Sequence, residues 1–192
     1  APEHSLLSTV ITTSWAMSTT SSLLVLWCLT GLFLVVLNLL GSHLSPEEPL
    51  DTTFPRTAES TVALIDSYGD RRWWYTWYEL LDLLFIPTYG AALYLSIQAL
   101  APNQIGGILE KLVLVTCAAD LVEDGTALTL NLSGALRTNH LLAAVSDVAS
   151  GIKFIGFTIC LLAVVVLAIA RSISLTSYGA LDEESSETPA TT

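Results

Sequence analysis

The chain has 192 residues, 52% of them hydrophobic and only 13% charged, with a mean hydropathy of +0.62. That composition excludes an ordinary soluble domain and makes the lipid bilayer the first expected partner. Eighteen acids against seven bases give a net charge of −11, which argues against nucleic acid or an anionic lipid surface as the main partner.

Residues 1–21 are a polar, Ser/Thr-rich N-terminal segment. The run Ser22–Leu40 is then a membrane span by length and composition. It is too long for a signal sequence and lacks a basic lead-in, so it reads as an anchor. Further spans are expected at Leu80–Leu100, Ile108–Leu130 and Ile152–Ala170. These runs are continuous and not alternating, which favours helices over a barrel, because lipid requires backbone groups to be satisfied within the segment. The expected fold is all-α: a polytopic four-helix transmembrane domain over residues 22–171, with a short interfacial amphipathic helix between the first two spans.

That helix falls in the extramembrane loop 41–79. Gly41–Thr53 is turn-rich and acidic. Pro55–Tyr68 follows as an amphipathic helix with Pro at its start, Gly69 as its stop, and Val62, Ile65 and Tyr68 as its apolar stripe. It would lie along the membrane surface or over the bundle mouth. Next, Trp73, Trp74 and Trp77 stand with Tyr75 and Tyr78 directly before a span, as in an interfacial belt. Arg71 and Arg72 would reach lipid phosphates or Asp70. Pro87 and Gly90 predict a kink in the second span. The short loop Ala101–Gly107 makes spans two and three an antiparallel hairpin. Residues 172–192 read as a disordered acidic tail.

The third span is unusual. Asp120, Glu123 and Asp124 lie inside it, at a cost of about 8–10 kcal/mol on insertion scales, while its large aliphatics return about 3–7 kcal/mol. Partner helices must therefore bury its acidic face. On a helix Asp120 and Asp124 lie about 40° apart and Glu123 about 60° to the other side of Asp120. Thr116, Cys117 and Ala127 share that sector, giving one polar, small-residue stripe. Counting the rise along the neighbouring spans puts Asp82, Glu123/Asp124 and Lys153 at one level, about 10–12 Å deep, with Tyr89 two turns beyond Asp82. Four carboxylates then face one lysine, so a proton, a cation or a polar ligand is expected to join them.

Other chemistry lacks its residues. His4, His43 and His140 fall outside the spans, and no haem, zinc, nucleotide or EF-hand motif occurs, so no cofactor and no metal site is read from motifs. Cys28, Cys117 and Cys160 lie in apolar runs without a CxxC and read as small buried hydrophobes.

The order Tyr68-Gly69, Leu81-Asp82-Leu83-Leu84-Phe85 with Tyr89, Asp120-Leu121-Val122-Glu123-Asp124 and Ile152-Lys153-Phe154 resembles a widespread family of small uncharacterised four-helix integral membrane proteins. In that family an Asp precedes a Leu/Phe run in the second helix, D-x-x-E-N marks the third, and a Lys opens the fourth. The resemblance covers about residues 54–170 and implies the fold and the polar cluster, with no assigned activity. Asp124 stands where the family has Asn, which adds an acid.

Orientation signals conflict. Arg56, Arg71, Arg72, Arg137 and Lys153 on one side outnumber Lys111 and Arg171 on the other, which puts both termini outside. Asn131-Leu132-Ser133 is a glycosylation sequon, which requires that side to be lumenal, and Tyr178-Gly179-Ala180-Leu181 fits a cytosolic sorting motif. These two favour cytosolic termini and a eukaryotic endomembrane or plasma membrane. The functional expectation is a non-enzymatic structural or partner-binding protein, with other membrane subunits as candidate partners. Its polar network would comprise Asp82, Tyr89, Asp120, Glu123, Asp124 and Lys153. A small proton-coupled carrier or cation binder is the alternative, and an intramembrane enzyme the third reading.

Overall fold

A computed structural model describes the backbone of residues 3–186 and the side chains of residues 21–174, except Asp51. The Tyr178–Leu181 motif, residues 1–20 of the N-terminal segment and the tail beyond residue 174 lie outside the described side chains. Five helices follow in order: α1 (Glu3–Ser42), α2 (Ala58–Ser67), α3 (Arg72–Leu100), α4 (Asn103–Leu132) and α5 (His140–Ser186). Short 3-10 turns lie at Leu50–Thr52 and Gly69–Arg71, and no strand occurs among the described residues. Three segments are long and apolar enough to cross a membrane: Ser21–Ser42, Gly69–Leu100 and His140–Ser174.

Helices α3, α4 and α5 pack on one another, and α1 lies along α3, tied there by Trp27 Nε1 donating to Ser96 Oγ (3.1 Å). The α3–α4 turn is tighter than predicted. Only Ala101 and Pro102 separate the two helices, since α4 begins at Asn103. Pro87 sits inside α3 without ending it. Gly90 has a packing role, because a Cβ there would lie 2.7 Å from Cys117 Sγ on α4. Gly156 does the same between α5 and α4, where an added Cβ would stand 3.3 Å from Thr116 Cβ and collide with its hydroxyl.

Helix α2 forms later than the proline suggests. Thr57 is its N-cap: its Oγ1 accepts from Ser60 N (3.3 Å), while Thr57 N donates to Ser60 Oγ (2.8 Å). This reciprocal cap fixes the start at Ala58 and leaves Pro55 and Arg56 in the connecting segment. Gly69 ends the segment with φ +51°, a conformation that favours glycine. The buried face of α2 is Thr61, Ile65 and Tyr68, with Val62 half-buried. It packs against α5 and α4, over the mouth of the bundle.

Two apolar clusters result. The larger, with Phe85, Tyr89, Leu93, Ile97, Val113 and Cys160, fills one half of the bundle. The smaller, with Leu44, Leu50, Ile65, Tyr75, Leu130 and Ala143, lies under α2. In sequence, the buried acids of α4 and Lys153 of α5 fall between the residues of these two clusters.

The aromatic belt splits by helix face. Trp73, Trp74 and Trp77 are exposed, whereas Tyr75 and Tyr78 are buried. The exposed indoles suit headgroup depth. The arginines reach neighbouring segments of the chain: Arg71 bonds Leu44 O, Ser45 O and Glu47, and Arg72 donates to Asp66 Oδ1 (3.1 Å) at the surface. Of the cysteines only Cys160 is buried; Cys117 is half-buried and Cys28 is exposed.

Candidate functional site

The 3.6-residue period of α4 turns a single stripe inward. Leu109, Val113, Thr116, Asp120, Glu123, Ala127 and Leu130 are all buried, as is Asp124 beside Asp120. From α5, Lys153 Nζ reaches Asp120 Oδ1 (2.6 Å), Glu123 Oε2 (3.2 Å) and Asp82 Oδ2 of α3 (3.7 Å). Tyr89 donates its hydroxyl to Asp120 Oδ2 (2.6 Å). One lysine thus bridges three carboxylates from two helices, and one tyrosine holds the far oxygen of the central acid. The six residues singled out in the spans converge, with Asp124 fully buried at their edge.

A second cation was not foreseen. Arg56 leaves the connecting segment before α2 and enters the cluster from the mouth, its side chain only 4% exposed. Its Nη2 donates to Glu123 Oε1 (2.8 Å) and Ser146 Oγ (3.2 Å), its Nε to Asp147 Oδ1 (2.8 Å), and its Nη1 to Leu50 O. Burial alone would lower the affinity of this guanidinium for its proton. The adjacent Glu123 and Asp147 more than reverse that effect, so it stays charged. Asp147 also accepts from Thr61 Oγ1 of α2 (2.6 Å). Phe54 stacks on Phe154 (5.4 Å between centroids) and pins the same segment to α5.

Glu79 is the other residue the sequence reading passed over. It is buried on α3, one turn before Asp82, and stands beside Asp124. With it, six carboxylates (Glu79, Asp82, Asp120, Glu123, Asp124 and Asp147) meet two cations, Arg56 and Lys153. Buried charges need partners, and this set carries more acid than base.

The cluster is reached by a cleft of about 790 Å³. Leu34, Leu37 and Asn38 of α1 form one wall, and Phe154 and Phe157 of α5 the other. Its floor is Tyr78, Asp82, Phe85 and Tyr89 of α3 with Asp120 of α4 and Lys153, and its rim is the 42–49 loop with Glu47 and Glu48. An apolar channel therefore ends on charged groups.

Asn131 is only 3% exposed, and its Nδ2 donates to Thr76 Oγ1 (3.0 Å) and Arg72 O (3.3 Å). The amide ties α4 to α3 and is not presented for glycosylation in the folded protein.

No family model, no curated protein and no solved structure matches the chain.

Proposed function

We propose that this is a four-pass, non-enzymatic membrane protein that takes an amphiphile with a cationic head into the cleft between α1 and α5. The observation that carries this reading is the cleft itself, which joins apolar walls to Asp82, Asp120 and Lys153. Its charged lining residues are four acids (Glu47, Glu48, Asp82 and Asp120) and one base, Lys153, with Glu47 paired to Arg71 behind the rim. The lining keeps an excess of acid, so a protonated amine with an apolar tail is the complementary ligand. A fourth crossing by α4 is supported by its outer face, where Ile108, Leu114, Val115, Leu121 and Leu132 are exposed while every acid of its second half turns inward. At 30 residues it is as long as α3, beside which it packs. The sequence resemblance to small four-helix membrane proteins agrees with that count.

The test uses the detergent-purified chain and a long-chain primary amine, with the alcohol of equal length as control. The amine should raise the unfolding temperature saturably and the alcohol far less. Leu34→Trp, on the exposed cleft wall, should abolish the shift. An amine effect that survives Leu34→Trp, or equal effects of amine and alcohol, would refute binding in this cleft.

A second reading has its own observation: Lys153 bridges Asp82, Asp120 and Glu123 across three helices, as a register-fixing network would. Under that reading Lys153→Leu lowers stability, and neither amphiphile binds saturably.

A further inference from the structure

We infer that Asp82, Asp120 and Asp124 form a binding site for a hard divalent cation of calcium size, a property that goes beyond the amphiphile reading and does not depend on it. One carboxylate oxygen from each residue lies within 4.8 Å of the other two. Calcium gathers about six to eight oxygens at roughly 2.3–2.6 Å in a flexible shell, whereas magnesium demands a near-ideal octahedron and usually keeps several waters with one or two carboxylates, so three converging aspartates favour calcium. The set is all oxygen, which suits calcium, magnesium or manganese and disfavours the softer metals.

Asp124 supplies the independent reason for a ligand. It is 0% exposed, and among the described residues neither of its oxygens has a hydrogen-bond partner. A buried carboxylate in that state is costly unless something joins it. Its neighbours deepen the need, because Glu79 beside it is a further acid. Lys153 serves the opposite edge of the group, at 2.6 Å from Asp120 and 3.7 Å from Asp82. The six carboxylates of the cluster outnumber Arg56 and Lys153, and a divalent ion among the three aspartates would offset part of that excess. Asp120 keeps lone pairs for it, since each of its oxygens takes a single partner, Lys153 or Tyr89. Asp82 and Asp120 also line the cleft, which gives the ion a route in and water to complete its shell.

The experiment is calcium titration of the full chain in detergent, read by calorimetry and by terbium emission sensitised through tyrosine, with the Tyr89 hydroxyl hydrogen-bonded to Asp120. One equivalent per chain is expected, displacing terbium, and magnesium should compete poorly. Asp124→Asn, which preserves shape, should weaken binding at least tenfold, and Asp82→Asn is the second variant should the first fail to fold. Glu47→Gln/Glu48→Gln at the rim should leave binding intact. Leu34→Trp should also keep it, so loss of the amphiphile effect and loss of the cation are separate results. No saturable calcium binding by the wild-type chain overturns the inference. So does binding that persists unchanged in Asp82→Asn/Asp124→Asn, which would place the ion elsewhere.

Discussion

Replacing Arg56 with alanine removes the cation that closes the mouth side of the buried cluster. Five groups lose a partner: Glu123, Asp147, the Ser146 hydroxyl and the carbonyls of Leu50 and Thr53. Removing one member of a buried ion pair costs about 3–5 kcal/mol. Two features place this site at the lower end. Glu123 keeps Lys153 at 3.2 Å, and Asp147 keeps Thr61 at 2.6 Å. A loss of about 3 kcal/mol in a chain of this size lowers the unfolding temperature by about 6–12 °C. The assay is thermal unfolding in detergent with a thiol-reactive dye in a Cys28→Ala background, since buried Cys160 becomes accessible when α5 separates, whereas Cys28 is exposed from the start. A double-mutant cycle sharpens the result. If the Arg56–Glu123 pair is the main loss, Arg56→Ala should cost less in a Glu123→Gln background, by about 1–3 kcal/mol. An Arg56→Ala unfolding temperature indistinguishable from wild type would refute the placement of this arginine, and additivity in the cycle would refute the pair.

Tyr89→Phe deletes the hydrogen bond to Asp120 while keeping the ring, and should cost about 1.5–3 kcal/mol by the same dye assay. Gly156→Ala pushes a Cβ into Thr116 and should destabilise by about 1–3 kcal/mol, with Gly156→Ala/Thr116→Ser recovering part of the loss. Asn131→Gln should leave electrophoretic mobility unchanged in glycosylating cells, because the amide is buried, yet lower stability measurably through the lost contacts to α3. Trp73→Ala should leave stability in detergent nearly unchanged, as an exposed belt residue would, and reduce only retention in bilayers on alkaline extraction.

The α4 stripe was legible because helical period alone decides which of its residues share a face. Lys153 could be matched to Asp82 and Glu123 because rise per residue converts sequence counting into depth for straight antiparallel helices. Arg56 was not legible. Its contact with Glu123 spans 67 positions and depends on where an irregular segment folds back, which no periodicity encodes. Glu79 was missed for another reason: it follows the tryptophans, so sequence position suggested the interface, whereas the face it shares with Tyr75 and Asp82 turns it inward. The sequon pattern at Asn131 carries no information on burial, so the amide's bonds to α3 were not legible from it. The cleft arises because α1 leans chiefly on α3, a choice of neighbour that the apolar run Ser22–Leu40 leaves open.

The two-residue turn between α3 and α4 has a consequence for synthesis on the ribosome. The acids of α4 emerge about 1.5–6 s before the lysine of α5 at ordinary synthesis rates, and the two-residue turn keeps α4 close to α3. During that interval Arg56 is the one cation of the cluster already made, so the segment before α2 acts as a temporary counter-ion for a helix that has not yet met its permanent one. On the four-pass reading proposed above, released chains truncated between Asn139 and Lys153 should hold α4 in a bilayer poorly, and more poorly still as Arg56→Ala. With Arg56 leaving the ribosome first, the acids next and Lys153 last, α5 becomes the event that seats α4.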